Sequence, residues 1–206
     1  VFEQKISFQT KIQNFQRLMK KSIKLFFAVA LAALISSFSY AQMADKTVMV
    51  GGEAMYPQKN IIENAVNSKD HTTLVAAVKA AGLVETLSSK GPFTVFAPTN
   101  DAFENLPEGT VETVLKPENK ALLTKILTYH VLSGKFDYEA VATNIKKNNG
   151  KVEMKTVSGG TLTFMMNGDK NIILKDEMGN TANITTYNVY QSNGVIHVID
   201  KVVMPK

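Results

Sequence analysis

Thr94-Val95-Phe96-Ala97-Pro98-Thr99-Asn100-Asp101-Ala102-Phe103 is the stretch whose reading decides the fold. Thr94, Val95 and Phe96 are β-branched or aromatic, side chains that suit a buried pleat. Pro98 has no amide hydrogen and turns Ala97 away from the α region, so the ladder ends there. Thr99 or Asn100 then offers a side-chain oxygen to cap a helix. Asp101 falls in that helix's first turn, where the dipole favours a carboxylate. Ala102, Phe103 and Leu106 give the helix an apolar face. Strand, polar corner and capped helix follow in immediate succession. The stretch reads as the joint between a sheet and a helical layer.

Upstream of this joint, residues 58–67 read as a short helix with Ile61, Ile62, Ala65 and Val66 on one face. Asp70 is placed to cap a second helix starting near His71, and His71 is expected in solvent. Leu74, Val75, Val78 and Ala81 recur at helical spacing, and Gly82 stops the helix. Downstream, Thr110 is placed to cap a short helix through Leu115. Pro117 opens a longer helix that reaches Tyr129. Leu123, Ile126, Leu127 and His130 form one stripe, so His130 points at the core. Ser133-Gly134 closes this helix, and Asp137 caps a short turn holding Tyr138, Ala140 and Val141.

From Lys151 the period changes from helical to twofold. Val152, Met154 and Thr156 alternate with charged residues, and Leu162 and Phe164 with threonines. Residues 172–175, 182–186 and 195–203 are further strands. Asn149-Gly150, Gly159-Gly160, Asn167-Gly168, Gly179-Asn180 and Asn193-Gly194 separate them, each tolerant of the positive φ of a tight hairpin. Helices first, one early strand and then an antiparallel meander make an α+β class.

Charge narrows the function classes. The 206 residues carry a formal +5, but residues 1–41 hold six of the 23 basic residues and one of the 18 acids. The remainder is balanced at 17 each, and all its basic residues are Lys. A neutral domain without arginine argues against nucleic acid as a partner. The absence of cysteine excludes disulfides, thiol nucleophiles and a lipidated cysteine anchor. Met19-Lys20-Lys21-Ser22-Ile23-Lys24, an apolar run over 25–35, and Ser39-Tyr40-Ala41 before Gln42 make a secretory signal peptide over 19–41. The apolar run is too short for a membrane span, which takes about 20 residues. Residues 1–18 match neither signal nor domain and are read as an upstream extension, native or not. Residues 42–57 read as a flexible tail.

Three pieces now resemble one family. Thr94 to Phe103 resembles the first signature of the fasciclin (FAS1) domain, with Thr94, Phe96, Pro98, Thr99, Asp101 and Phe103 as signature positions. Tyr129-His130 resembles the central Tyr-His pair of that family. Asn193-Gly194-Val195-Ile196-His197-Val198-Ile199-Asp200-Lys201-Val202-Val203-Met204-Pro205 resembles its second signature, with His197, Asp200 and Pro205 as structural positions. The resemblance covers residues 58–206 and implies a FAS1-like fold. In that fold an N-terminal helical layer packs on a wedge of two mainly antiparallel β-sheets. It also implies adhesion, through a cell-surface or matrix protein or a glycan, in a bacterial single-domain member. The chain stops one residue after the second signature, so one domain without a C-terminal anchor is expected. No Arg-Gly-Asp motif is possible after Arg17, the last arginine.

The expected function is therefore a secreted, non-enzymatic binding domain attaching to matrix, glycan or envelope components, periplasmic or extracellular after signal cleavage. The alternatives are a periplasmic small-ligand-binding or stress-related protein, and a hydrolase. No Gly-x-Ser-x-Gly elbow, phosphate loop, zinc-ligand spacing or twelve-residue calcium loop is present. No catalytic residue, metal or cofactor is therefore assigned. The pair Asp176-Glu177 reads as a solvated turn, and Asn183-Ile184-Thr185 is a formal glycosylation acceptor. Tyr129 and His130 are the carried-over partner-binding candidates. The competing reading of His130 is a core histidine bonded to backbone or to the corner near Thr99 and Asp101. Fractionation after expression in a bacterial host tests the leader. The expected product begins at Gln42 and lies outside the cytoplasm, and recovery from the cytosol alone refutes it.

Overall fold

A computed structural model describes residues 47–206. The signal peptide and the upstream extension lie outside the described residues. The stretch at the joint forms β3 (Phe93–Pro98) and α4 (Asn100–Glu104). Thr99 between them is the N-cap, its hydroxyl accepting from the Ala102 amide at 3.3 Å. Before it come β1 (Val48–Val50), β2 (Glu53–Met55), α1 (Ile61–Ala65), α2 (Thr72–Ala81) and α3 (Val84–Ser88). After it come α5 (Thr110–Val114), α6 (Lys120–Tyr129), β4 (Val131–Ser133) and α7 (Tyr138–Lys147). The meander is β5 (Lys151–Lys155), β6 (Thr161–Asn167), β7 (Asn171–Lys175), β8 (Thr181–Gln191) and β9 (Gly194–Ile199).

The strand order is β4-β3-β9-β8-β7-β6-β5. Every pair is antiparallel except β3 with β9, which run parallel from Phe93 opposite Gly194 to Pro98 opposite Ile199. The two sheets of the wedge share β8, whose register with β9 shifts between Ile184 and Thr186 and again between Thr186 and Val189. Such bulges bend a strand and raise its twist, which lets β8 turn from one sheet into the other.

Alternation along the central strands sorts the core into two sides. Val95 and Ala97 of β3, Ile196 of β9 and Val131 of β4 pack with Leu74, Val78, Leu123 and Leu127 of the helices. Phe96, Ile199 and Leu132 point the other way and pack with Val141 and Ile145 of α7 and with Leu162, Phe164, Ile172 and Leu174 of the meander. Phe96 lies 5.3 Å from Phe164, centroid to centroid. β3 and β9 are thus buried on both faces, which accounts for their near-continuous apolar runs.

Several expectations are corrected. Residues 48–55 of the supposed tail form a hairpin, with Gly51 and Gly52 in its turn at φ 60° and 78°. Val131–Ser133, placed at a helix end, pairs with β3 because its apolar side chains complete both cores. Asp137 caps a ten-residue helix rather than a short turn, accepting from the Ala140 amide at 3.0 Å. Thr110 is not a cap; Gly109 fills that place in a left-handed conformation. Asp70 is not the cap of α2. That helix is served from outside by Asn100, whose Oδ1 accepts from the Thr73 amide at 3.0 Å and whose amide donates to Lys69 O at 2.9 Å.

The β8–β9 turn is also different. Gln191 pairs with Gly194, so Ser192 and Asn193 form the loop, and Gly194 does not take a positive φ. Gly194 is required by its parallel neighbour, because a Cβ there would lie 2.2 Å from the Phe93 carbonyl oxygen. Asn193 is buried and holds the helical layer, its Oδ1 accepting from the Ile61 amide and its Nδ2 donating to Leu87 O and Ser89 O. Gly194→Ala is expected to lower unfolding stability by more than about 3 kcal/mol, since backbone must move to admit the methyl group. Urea denaturation measures it, and a loss below about 1 kcal/mol would contradict the strand contact.

Candidate functional site

The Tyr-His pair terminates α6, and its two side chains go to different places. His130 is the C-cap residue, 3% exposed. Its Nδ1 donates to Ile126 O, one turn earlier, at 2.8 Å, and its Nε2 accepts from the Val203 amide at 3.2 Å. This pattern requires a neutral ring protonated on Nδ1. Its own carbonyl accepts from the Phe96 amide at 2.9 Å. One residue therefore ties α6, β3 and the segment after β9. Burial pushes its pKa down to about 4, against smaller opposing effects of the Ile126 carbonyl and Asp176.

Tyr129 is fully buried. Its hydroxyl donates to Thr161 O at 2.7 Å and accepts from the Glu177 amide at 3.1 Å, bridging the β5–β6 and β7–β8 turns. Burial raises its pKa to about 12. Neither side chain of the pair presents a surface to a partner. Main-chain groups take up the polar atoms of both side chains. The corner residues Thr99 and Asp101 do not reach His130's ring nitrogens, which are both engaged elsewhere.

The second signature follows the same rule. His197 is 1% exposed, donates from Nε2 to Phe136 O at 2.9 Å and accepts at Nδ1 from the Asn188 amide at 3.4 Å. Its ring stacks on Phe96 at 5.6 Å and meets the Tyr187 edge at 6.0 Å. Burial lowers its pKa, outweighing the Phe136 carbonyl and the charges of Asp137 and Glu139. Thr94 donates to Gly134 O at 2.8 Å and accepts from the Phe136 amide at 2.9 Å. Phe136's main chain is thus held from both central strands. Asp200 clamps Asn183, accepting from its backbone amide and its Nδ2, both at 2.7 Å. The side-chain amide of the formal glycosylation acceptor is therefore already bonded. Pro98 is buried, Phe103 and Pro205 are half-buried, and Asp101 is the exposed member of the set.

Two readings of acidic and histidine residues change. Asp176 is buried rather than solvated. It accepts from the Asn180 amide at 2.8 Å and, across the domain, from the Met204 amide at 2.9 Å. Glu177 accepts from the Thr161 and Lys206 amides at 2.9 and 3.1 Å, which hold its pKa below the usual carboxylate range. The pair fastens the C-terminal segment to the meander. His71 is buried, not solvated. Its Nδ1 meets Ser68 Oγ at 2.8 Å, and its Nε2 has no hydrogen-bond partner. Nothing near it in sequence marks this, because Ala97 and Leu127, which line the same cavity, come from β3 and α6. Among the described residues, no three His, Asp or Glu side chains gather in a way that could hold a metal ion.

Comparison with known proteins places this geometry. The Fasciclin domain model matches residues 69–205. Protein sll1483 of Synechocystis is 46% identical over 164 residues, covering 80% of this chain and 83% of that protein. The cell surface glycolipoprotein MPB83 of Mycobacterium bovis is 34% identical over 160 residues, covering 75% and 64%. The solved FAS1 domain pair of the insect cell adhesion molecule fasciclin I superposes with a TM-score of 0.62 at 15% identity, over 71% of this chain and 51% of that one.

The buried histidines make stability depend on pH. Below about pH 6.5 the unfolded chain takes up protons that the folded His130, His71 and His197 resist. Their stabilisation is full above that pH and is lost as pH falls through each lowered folded-state pKa, which for His130 is about 4. His130 alone contributes on the order of 3 kcal/mol to the change. Urea midpoints between pH 7 and pH 4.5 are expected to fall, with ring NMR showing His130 still neutral at pH 5. A flat profile would refute the assigned bonding.

Proposed function

Because this chain belongs to the fasciclin domain family, we propose that it is an exported binding module. It attaches to a matrix, glycan or envelope component and performs no bond-making chemistry. The observation that carries this reading is the inward commitment of the signature. Thr94, Tyr129, His130, His197 and Asp200 all bond to main-chain groups of their own domain. Side chains committed in this way build a rigid scaffold and leave recognition to the surface around it. Relatives described as a cell surface glycolipoprotein and as a cell adhesion molecule support the same role. The leader over 19–41 supports export, and no helix among the described residues is long and apolar enough to cross a membrane.

A glycan array probed with the purified protein, alongside immobilised envelope and matrix preparations, is the direct test. Saturable binding to a defined polymer is expected, with no turnover of ester or glycoside substrates. Tyr129→Phe separates scaffold from contact. Losing the hydroxyl is expected to cost about 1–3 kcal/mol, while binding at 20 °C, where the variant stays folded, is unchanged. Lost binding at unchanged melting temperature would restore Tyr129 as a contact residue.

A further inference from the structure

A cleft lies between α1, α2, α3 and the helix-facing side of the central sheet, lined by Ile61, Ala65, Leu74, Val78, Val95 and Ile196 among others. Its lining is almost wholly apolar. His71 also lines it, and Nε2 of His71 is the one buried side-chain nitrogen or oxygen without a hydrogen-bond partner among the described residues. Such an atom forfeits its bond to water on folding, a cost that stands unless something answers it. The Ala97 carbonyl favours the charged ring but lies outside hydrogen-bonding geometry.

The size of the cleft narrows what can enter. Its volume is about 60 Å³. An engineered apolar cavity of roughly 150 Å³ takes benzene, so this one admits the end of a chain rather than a ring. The lining continues outward past Ile62, Val66 and Val84 to Lys79, and Val66 is 48% exposed. The lining therefore extends from the buried His71 to side chains at the surface.

We propose that this cleft binds a slender, uncharged hydrocarbon chain ending in a hydroxyl, with that hydroxyl bonded to His71 Nε2. The hydroxyl answers either tautomer. If Ser68 donates to Nδ1, Nε2–H donates to the ligand oxygen; if Nδ1 donates to Ser68, Nε2 accepts from the ligand O–H. Burial keeps the ring neutral, so a carboxylate at the same place would be an unpaired charge among apolar groups. The proposal does not depend on the adhesion reading.

Titration of the purified chain with 1-octanol, followed by methyl NMR, tests this. Saturable shifts are expected at Val50, Val66 and Leu74, with the methyls of Leu162 and Leu174 in the other core unmoved. Octanoate at pH 7 is expected to bind at least about tenfold more weakly. Ala65→Leu, which fills the cleft, is expected to abolish the shifts. His71→Phe is expected to weaken octanol about fivefold while leaving the second core's spectrum intact. Should His71→Phe fail to fold, Ala65→Leu and the octanol–octanoate comparison decide. Absent or unsaturable shifts, binding undiminished in Ala65→Leu, or equal affinity for octanoate overturns the proposal.

Discussion

The parallel pairing of β3 with β9 is the constraint on which the rest of the domain depends. It joins strands far apart in the chain, residue against residue from Phe93 to Pro98. A parallel pair cannot be closed by a tight turn and needs a crossover. Here the crossover contains α4 to α7, β4 and the strands β5 to β8, so closing this pair positions everything between. The closeness of the strands has a local cost. Gly194 has no room for a side chain against the Phe93 carbonyl. Both strands are buried on both faces, and each face supports a different core.

Polar groups around this pair bond to the main chain at long range. His130 spans α6 and the segment after β9, and His197 reaches Phe136 before α7. Asn193 reaches three backbone groups around α1 and α3, and Asp176 reaches Met204. Main-chain partners fix position without demanding a particular side chain opposite. A set of such bonds over-determines the arrangement of helices around the sheet. It also explains why two signature histidines are neutral: the same burial that makes each bond strong excludes the charged ring.

His71 breaks this pattern. It shares the burial of the other two histidines but lacks the second partner that they have. It also lies against apolar walls that open to the surface, whereas His130, which lines the same cleft, has both ring nitrogens bonded to main-chain groups. The same residue type therefore serves as a strut in two places and is left with an unanswered nitrogen in a third.

The alternation and helical stripes of this sequence, its turn dipeptides and the Pro98-Thr99 corner determine the elements and the α+β class. These signals are local: a period of 3.6 or 2, a cap or a missing amide acts within a few residues. The stripe of Leu123, Ile126 and Leu127 likewise sufficed to turn His130 inward. What tertiary structure alone decided is where long-range partners meet. Asn100 caps a helix it does not belong to, and Asp176 is buried under a segment that follows it by two strands. Val48–Met55 becomes a hairpin, and His71 faces a cleft assembled from α1, α2, α3 and the sheet. Gly51-Gly52 is a local turn signal for that hairpin, but no period or dipeptide encodes the others, because the burial that gives each side chain its role comes from residues distant in the chain.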